Sequence, residues 1–76
     1  MKNSKMIRLS PAQVKDFVTA ATRCDFDVDI SYNHFTIDAK SILGVFCLNL
    51  NSPLKVSYYG HNQDFENYLM DHMAIG

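Results

Sequence analysis

The chain has 76 residues, 7 basic against 8 acidic, with 47% apolar and 20% charged residues and only 3 Gly and 2 Pro. That length fits one domain, residues 1–76, and a chain of this size buries roughly 60–65% of the surface it exposes when unfolded. A formal charge of −1 supplies no field to attract phosphate backbones or anionic lipid, and the ordinary composition argues against disorder. Nucleic-acid binding and membrane insertion are therefore set aside.

Met1 to Lys5 are polar and lead into Met6 to Leu9 alone, too short a run for a signal-peptide core or a membrane span. Met6-Ile7-Arg8-Leu9 reads instead as a short strand. Ser10-Pro11-Ala12-Gln13 then opens a helix. Ser10 is the cap, Pro11 suits the first helical position and Gln13 is a capping-box partner. Val14, Phe17, Val18 and Ala21 follow the i, i+3, i+4, i+7 rule, and the helix ends near Cys24. Phe26, Val28 and Ile30 alternate with Asp27, Asp29 and Ser31 in the period of a half-buried strand. Tyr32-Asn33-His34 supplies a tight turn, and Phe35 and Ile37 alternate in the return strand, so residues 26–38 form a hairpin.

A second helix begins at Ser41 and carries Ile42, Val45, Phe46, Leu48 and Leu50, more apolar residues than one buried face needs. Asn51-Ser52-Pro53 breaks it, Leu54 to Tyr59 is the last strand, and Gly60-His61-Asn62 turns into a final helix presenting Phe65, Leu69, Met70 and Met73. The order is β-α-β-β-α-β-α, an α+β fold with helices on one side of an open antiparallel sheet. Two topologies fit it, the split βαβ of ferredoxin-like domains and an open-faced β-sandwich, and periodicity does not choose between them.

The segment Asp38-Ala39-Lys40-Ser41-Ile42-Leu43-Gly44-Val45-Phe46 does choose. It resembles the regulatory-serine segment of HPr, the small phosphocarrier of the bacterial sugar phosphotransferase system, in which an Ala-Lys-Ser-Ile-Met-Gly-Val-like run opens the second helix. The likeness continues through Leu54-Lys55-Val56-Ser57 and the final helix, and covers Pro11-Ala12 with Phe17-Val18 upstream, spanning residues 6–75. It implies the HPr-like open-faced sandwich, a four-stranded antiparallel sheet with three helices on one face.

One departure bears on function. The family carries Gly-Leu-His-Ala-Arg-Pro-Ala between its first strand and first helix, and that His takes the phosphoryl group. Here Ile7-Arg8-Leu9-Ser10 runs directly into Pro11-Ala12. With the register held at Pro11, Arg8 falls at the His position and Ser10 at the Arg position. An Arg side chain stays protonated and has no nucleophilic lone pair, and a Ser ester is too stable to pass on. The resemblance therefore implies a divergent, non-enzymatic member that binds proteins or regulates, with no cofactor, in the cytoplasm. Its candidate partners are enzyme I, HPr kinase and the catabolite regulator.

Each candidate residue has a structural and a functional reading. Ser41 is a helix cap, which stabilises by about 1 kcal/mol, or a regulatory phosphorylation site at a helix N-terminus beside Lys40; Ser10 and Lys40 are the companion candidates for holding an anion. Ile42, Leu43 and Phe46 are core residues or, as the resemblance implies, an exposed docking face. His61, next to Gly60 in a loop, is a solvated imidazole or a substitute phospho-acceptor, which would make the chain a carrier after all. A third possibility is an interaction module unrelated to sugar transport.

His34, His61 and His72 have no helical metal spacing, so no metal is expected. Asp25, Asp27 and Asp29 read as a solvated acidic row, and Tyr32, Tyr58 and Tyr59 lack the basic neighbours of a base-stacking platform. Cys24 and Cys47, without CxxC spacing, are read as two small buried hydrophobes in a reducing compartment.

Overall fold

In a computed structural model, residues 2–73 are described, so the first residue and the last three of the expected 1–76 domain lie outside the described residues. The elements are β1 (Asn3–Ile7), a 3-10 turn (Pro11–Gln13) running into α1 (Val14–Thr22), β2 (Val28–Tyr32), β3 (Phe35–Asp38), α2 (Ile42–Phe46), β4 (Leu54–Tyr58) and α3 (Gln63–Asp71). The four strands form one sheet in the order β1-β4-β2-β3, antiparallel throughout. The helices cover one face and leave the other open, so the open-faced sandwich is the topology formed.

Capping and periodicity explain α1. The Ser10 N–H donates to Gln13 Oε1 at 2.9 Å, and the Gln13 N–H donates back to the Ser10 carbonyl at 2.9 Å. Val14, Phe17 and Ala21 are fully buried, as one apolar stripe at helical spacing requires. α3 is capped by Asn62, whose Oδ1 accepts the Phe65 N–H at 3.0 Å, and Asp64 and Glu66 complement the positive end of its first turn.

A run of aromatic rings ties these helices to the sheet. Phe26 stacks on Tyr58 at 5.8 Å, Tyr58 meets Phe65 edge-on at 5.4 Å, and Phe65 and Tyr68 lie 6.3 and 6.2 Å from Phe17. Each fully buried side chain of this size contributes about 1.5–3 kcal/mol relative to exposure. The Tyr58 hydroxyl donates to Glu66, and Lys5 approaches the same carboxylate at 3.9 Å, whereas the Tyr68 hydroxyl is buried without a hydrogen-bond partner.

Several boundaries differ from the sequence reading. The first strand is Asn3–Ile7 rather than Met6–Leu9, because pairing with β4 sets its register from Asn3↔Tyr58 to Ile7↔Leu54. Leu9 is buried but lies in the connection. β2 starts at Val28 because Phe26 leaves the ladder to stack on Tyr58, and Gly60, at φ +149°, lies against the Phe26 ring where a Cβ would clash. α2 stops at Phe46. Cys47 and Leu48 donate to carbonyls three residues back, and the Asn51 N–H bonds to Asn49 Oδ1 at 3.1 Å, a local bond that competes with the helix.

In α3, Met70 is 64% exposed instead of facing the core, being one residue off the Leu69 stripe; Tyr68 packs inward in its place. Met73 lies past the helix in a bridge to Ile7. Cys24 is buried, as expected, but Cys47 is exposed on the outer side of α2's end, and both thiols are free.

Candidate functional site

α2 presents the surface of interest. Ser41 is its cap, with Oγ accepting the Gly44 N–H at 3.3 Å, and its side chain is exposed. Only Val45 of the helix is fully buried, with Leu48 beyond it also in the core. Leu43 is 77% exposed, Phe46 47% and Ile42 39%. Leu43 and Phe46 are three residues apart and Ile42 and Phe46 four, so the three side chains form one contiguous patch. Gly44 brings the helix down onto β3, since a Cβ there would sit 2.5 Å from Ile37 Cγ2. The close approach on the inner side leaves the apolar surplus on the outer side.

Lys40 stands next to Ser41 in sequence but its ammonium points elsewhere. Nζ donates to the Cys24 carbonyl at 3.0 Å, at the C-terminal end of α1, where a cation is favoured. The Lys40 N–H bonds to Asp38 Oδ1 at 2.9 Å. Lys40 therefore splices α1 to the start of α2. Ser10 is exposed at the entry to α1, held by its backbone bonds with Gln13.

The connection from β1 to the first helical turn is Arg8-Leu9-Ser10, three residues without a histidine. Arg8 is tied on both sides. Its N–H donates to the His72 carbonyl at 2.9 Å, and its guanidinium Nη1 reaches the Asn51 carbonyl at 3.4 Å. The three histidines are spread apart along the fold. His34 is exposed in the hairpin turn, where Asn33 adopts φ 52°, and His61 is exposed between β4 and α3. His72 stacks on Tyr68 at 4.2 Å and donates from Nδ1 to the Tyr68 carbonyl at 2.9 Å.

Other sequence candidates disperse. Asp25 and Asp27 precede β2, so only Asp29 of the acidic row is in a strand, where it faces Asp38. Of the three tyrosines, Tyr58 is buried, Tyr32 half-buried and Tyr59 64% exposed, which leaves no shared platform. Among the described residues no group of His, Cys, Asp or Glu is arranged to hold a metal, and no helix is long and apolar enough to cross a membrane.

Burial and the Glu66 carboxylate hold the Tyr58 hydroxyl well above its ordinary pKa, and burial, with Asp16 adding, pushes Tyr68 up to about 12. Burial also raises the Cys24 thiol, so that cysteine is an inert core residue rather than a nucleophile. The exposure of Phe35, at 71%, was not legible from its alternation with Thr36 and Ile37. The only available signal was its place beside the turn on what proves to be an edge strand.

No protein-family model and no curated protein matches this chain. Solved structures do. The crystal structure of a phosphocarrier protein HPr from Bacillus anthracis str. Ames superposes with a TM-score of 0.67 at 22% identity, over 97% of this chain and 96% of that one. A chain with this element order, this sheet and its three helices on one face has the HPr-like fold.

Proposed function

We propose that this chain is a divergent relative of the HPr phosphocarriers that works in the cytoplasm as a regulatory or protein-binding module, through the face formed by Ser41, Ile42, Leu43 and Phe46. The observation that carries this reading is the 77% exposure of Leu43, with Phe46 and Ile42 beside it, on a helix that buries only one residue fully. Exposed contiguous apolar surface on a small domain is a mark of partner binding. The three-residue Arg8-Leu9-Ser10 connection supports a role that does not transfer phosphoryl groups, since neither Arg8 nor Ser10 has the chemistry of a labile N-phosphoryl carrier.

Enzyme I, HPr kinase and the catabolite regulator are the partners to try. The test is calorimetric titration of each into the wild type and into Leu43→Asp, with thermal denaturation of both chains. Binding by at least one partner, lost in the variant at unchanged thermal midpoint, is the expected result. Absence of binding to all three overturns the reading in favour of a module recruited outside sugar transport. Intact-mass measurement with ATP and HPr kinase, repeated on Ser41→Ala, asks whether Ser41 is a switch or only a cap. Acid-labile phosphate after incubation with enzyme I and phosphoenolpyruvate, abolished by His61→Ala, would make the chain a carrier instead.

A further inference from the structure

The open face of the sheet, opposite the helices, carries Ser4 and Met6 on β1, Ser57 and Lys55 on β4, Asp29 and Ser31 on β2, and Asp38 and Thr36 on β3. Among these ladder residues one is apolar and one is cationic. The register sets those two, Met6 and Lys55, directly opposite each other. Cross-strand partners on one face stand roughly 5 Å apart at Cβ, so together they make a single two-part surface.

Two connections rise beside this pair. The β2–β3 turn contributes Tyr32 and Asn33, and the segment before β4 contributes Ser52 and Pro53. With Met6, Ser31 and Lys55 they line a shallow, open concavity of about 460 Å³. Asp29 is a diagonal neighbour of Lys55 across the β2–β4 ladder, yet Lys55 forms no ion pair among the described residues. Lys55 is exposed, and no carboxylate oxygen lies within 4.0 Å of its ammonium among the described residues.

We propose that this concavity binds a small organic monocarboxylate with an apolar body. The anion meets the Lys55 ammonium, with the Ser52 hydroxyl and the Asn33 carboxamide as further donors, and the apolar body lies against Met6 and Pro53. One cation fits a monoanion; a dianion would leave a charge uncompensated, and the facing Asp29 and Asp38 carboxylates repel a second negative charge at that end of the face. The site shares no residue with the α2 patch, so the two proposals stand or fall separately.

The test is a two-dimensional amide NMR titration of the full chain with benzoate, with benzyl alcohol as the neutral probe of the same ring, on the wild type and on Lys55→Gln. Saturable benzoate shifts at Ser31, Asn33, Ser52 and Lys55, with residues 42–46 unmoved, are expected. Benzyl alcohol and Lys55→Gln should each weaken binding at least about fivefold, the scale of a charge-assisted hydrogen bond at a partly exposed site. Met6→Ser provides an independent variant that keeps the charge and removes the apolar wall, and it should also weaken benzoate. Absence of saturable shifts, equal binding of benzyl alcohol, or undiminished binding by both variants overturns the proposal.

Discussion

α1 and α2 draw on the same kinds of side chain and arrange them in opposite ways. α1 has nine residues and buries Val14, Phe17 and Ala21 completely, while its polar residues face solvent. α2 has five residues, buries Val45, and leaves Ile42, Leu43 and Phe46 outside. The difference is one of length and clearance. α1 lies across the sheet with an aromatic partner in Phe65, whereas α2 is seated tightly on β3 through Gly44 and ends before a second turn can be buried. Apolar residues in α1 stabilise the fold. On the outer side of α2, Leu43 is 77% exposed and contributes little to it, while Ile42 and Phe46 are shared between the fold and the surface.

The largest test of this contrast is Phe17→Ala. Removing a fully buried ring at the centre of the aromatic run should cost about 3–5 kcal/mol in chemical denaturation, enough to unfold a marginal domain. Gly60→Ala comes next, at about 1–3 kcal/mol, because Gly60 combines positive φ with close contact to the Phe26 ring. A gain in melting temperature there would show that the Phe26–Tyr58 stack is less tightly held than described.

The packed region also has a pH signature. Tyr68 is raised from its ordinary value of 10.0 to about 12, and Tyr58 is raised too, so the fold favours the neutral phenols. For groups whose folded pKa lies above the unfolded one, the stabilisation is complete below about pH 10 and is lost as pH climbs through the folded value. Denaturation midpoints should therefore fall between about pH 10 and 12, and Tyr68→Phe should flatten the part of that fall due to Tyr68. An identical slope in the variant would rule out a Tyr68 contribution.

On the α2 side the effects shrink. Ser41→Ala removes the bond from Gly44 and should cost about 1 kcal/mol in thermal denaturation. Leu43→Asn should change stability by no more than about 0.5 kcal/mol, despite deleting a large apolar side chain, since that side chain is already in water. A loss of several kcal/mol would return Leu43 to the core and erase the distinction between the two helices.

Element order, the capped start of α1, its buried stripe and the break before β4 follow from local rules that act within a few residues, so they could be read directly. Ser41 as the cap of α2 belongs with them, since a serine before an apolar run reports its own surroundings. The start of β1, the release of Phe26 from β2 and the direction of the Lys40 ammonium could not be read this way. Each depends on a partner distant in sequence: β4 for Asn3 to Ile7, Tyr58 for Phe26, the Cys24 carbonyl for Lys40. The same holds for the two candidate sites. The sequence carried an apolar surplus after Ser41, but only the close seating of Gly44 on Ile37 decided which side chains stay outside. Met6 and Lys55 are far apart along the chain, and only strand register, a property of paired backbones, sets them side by side.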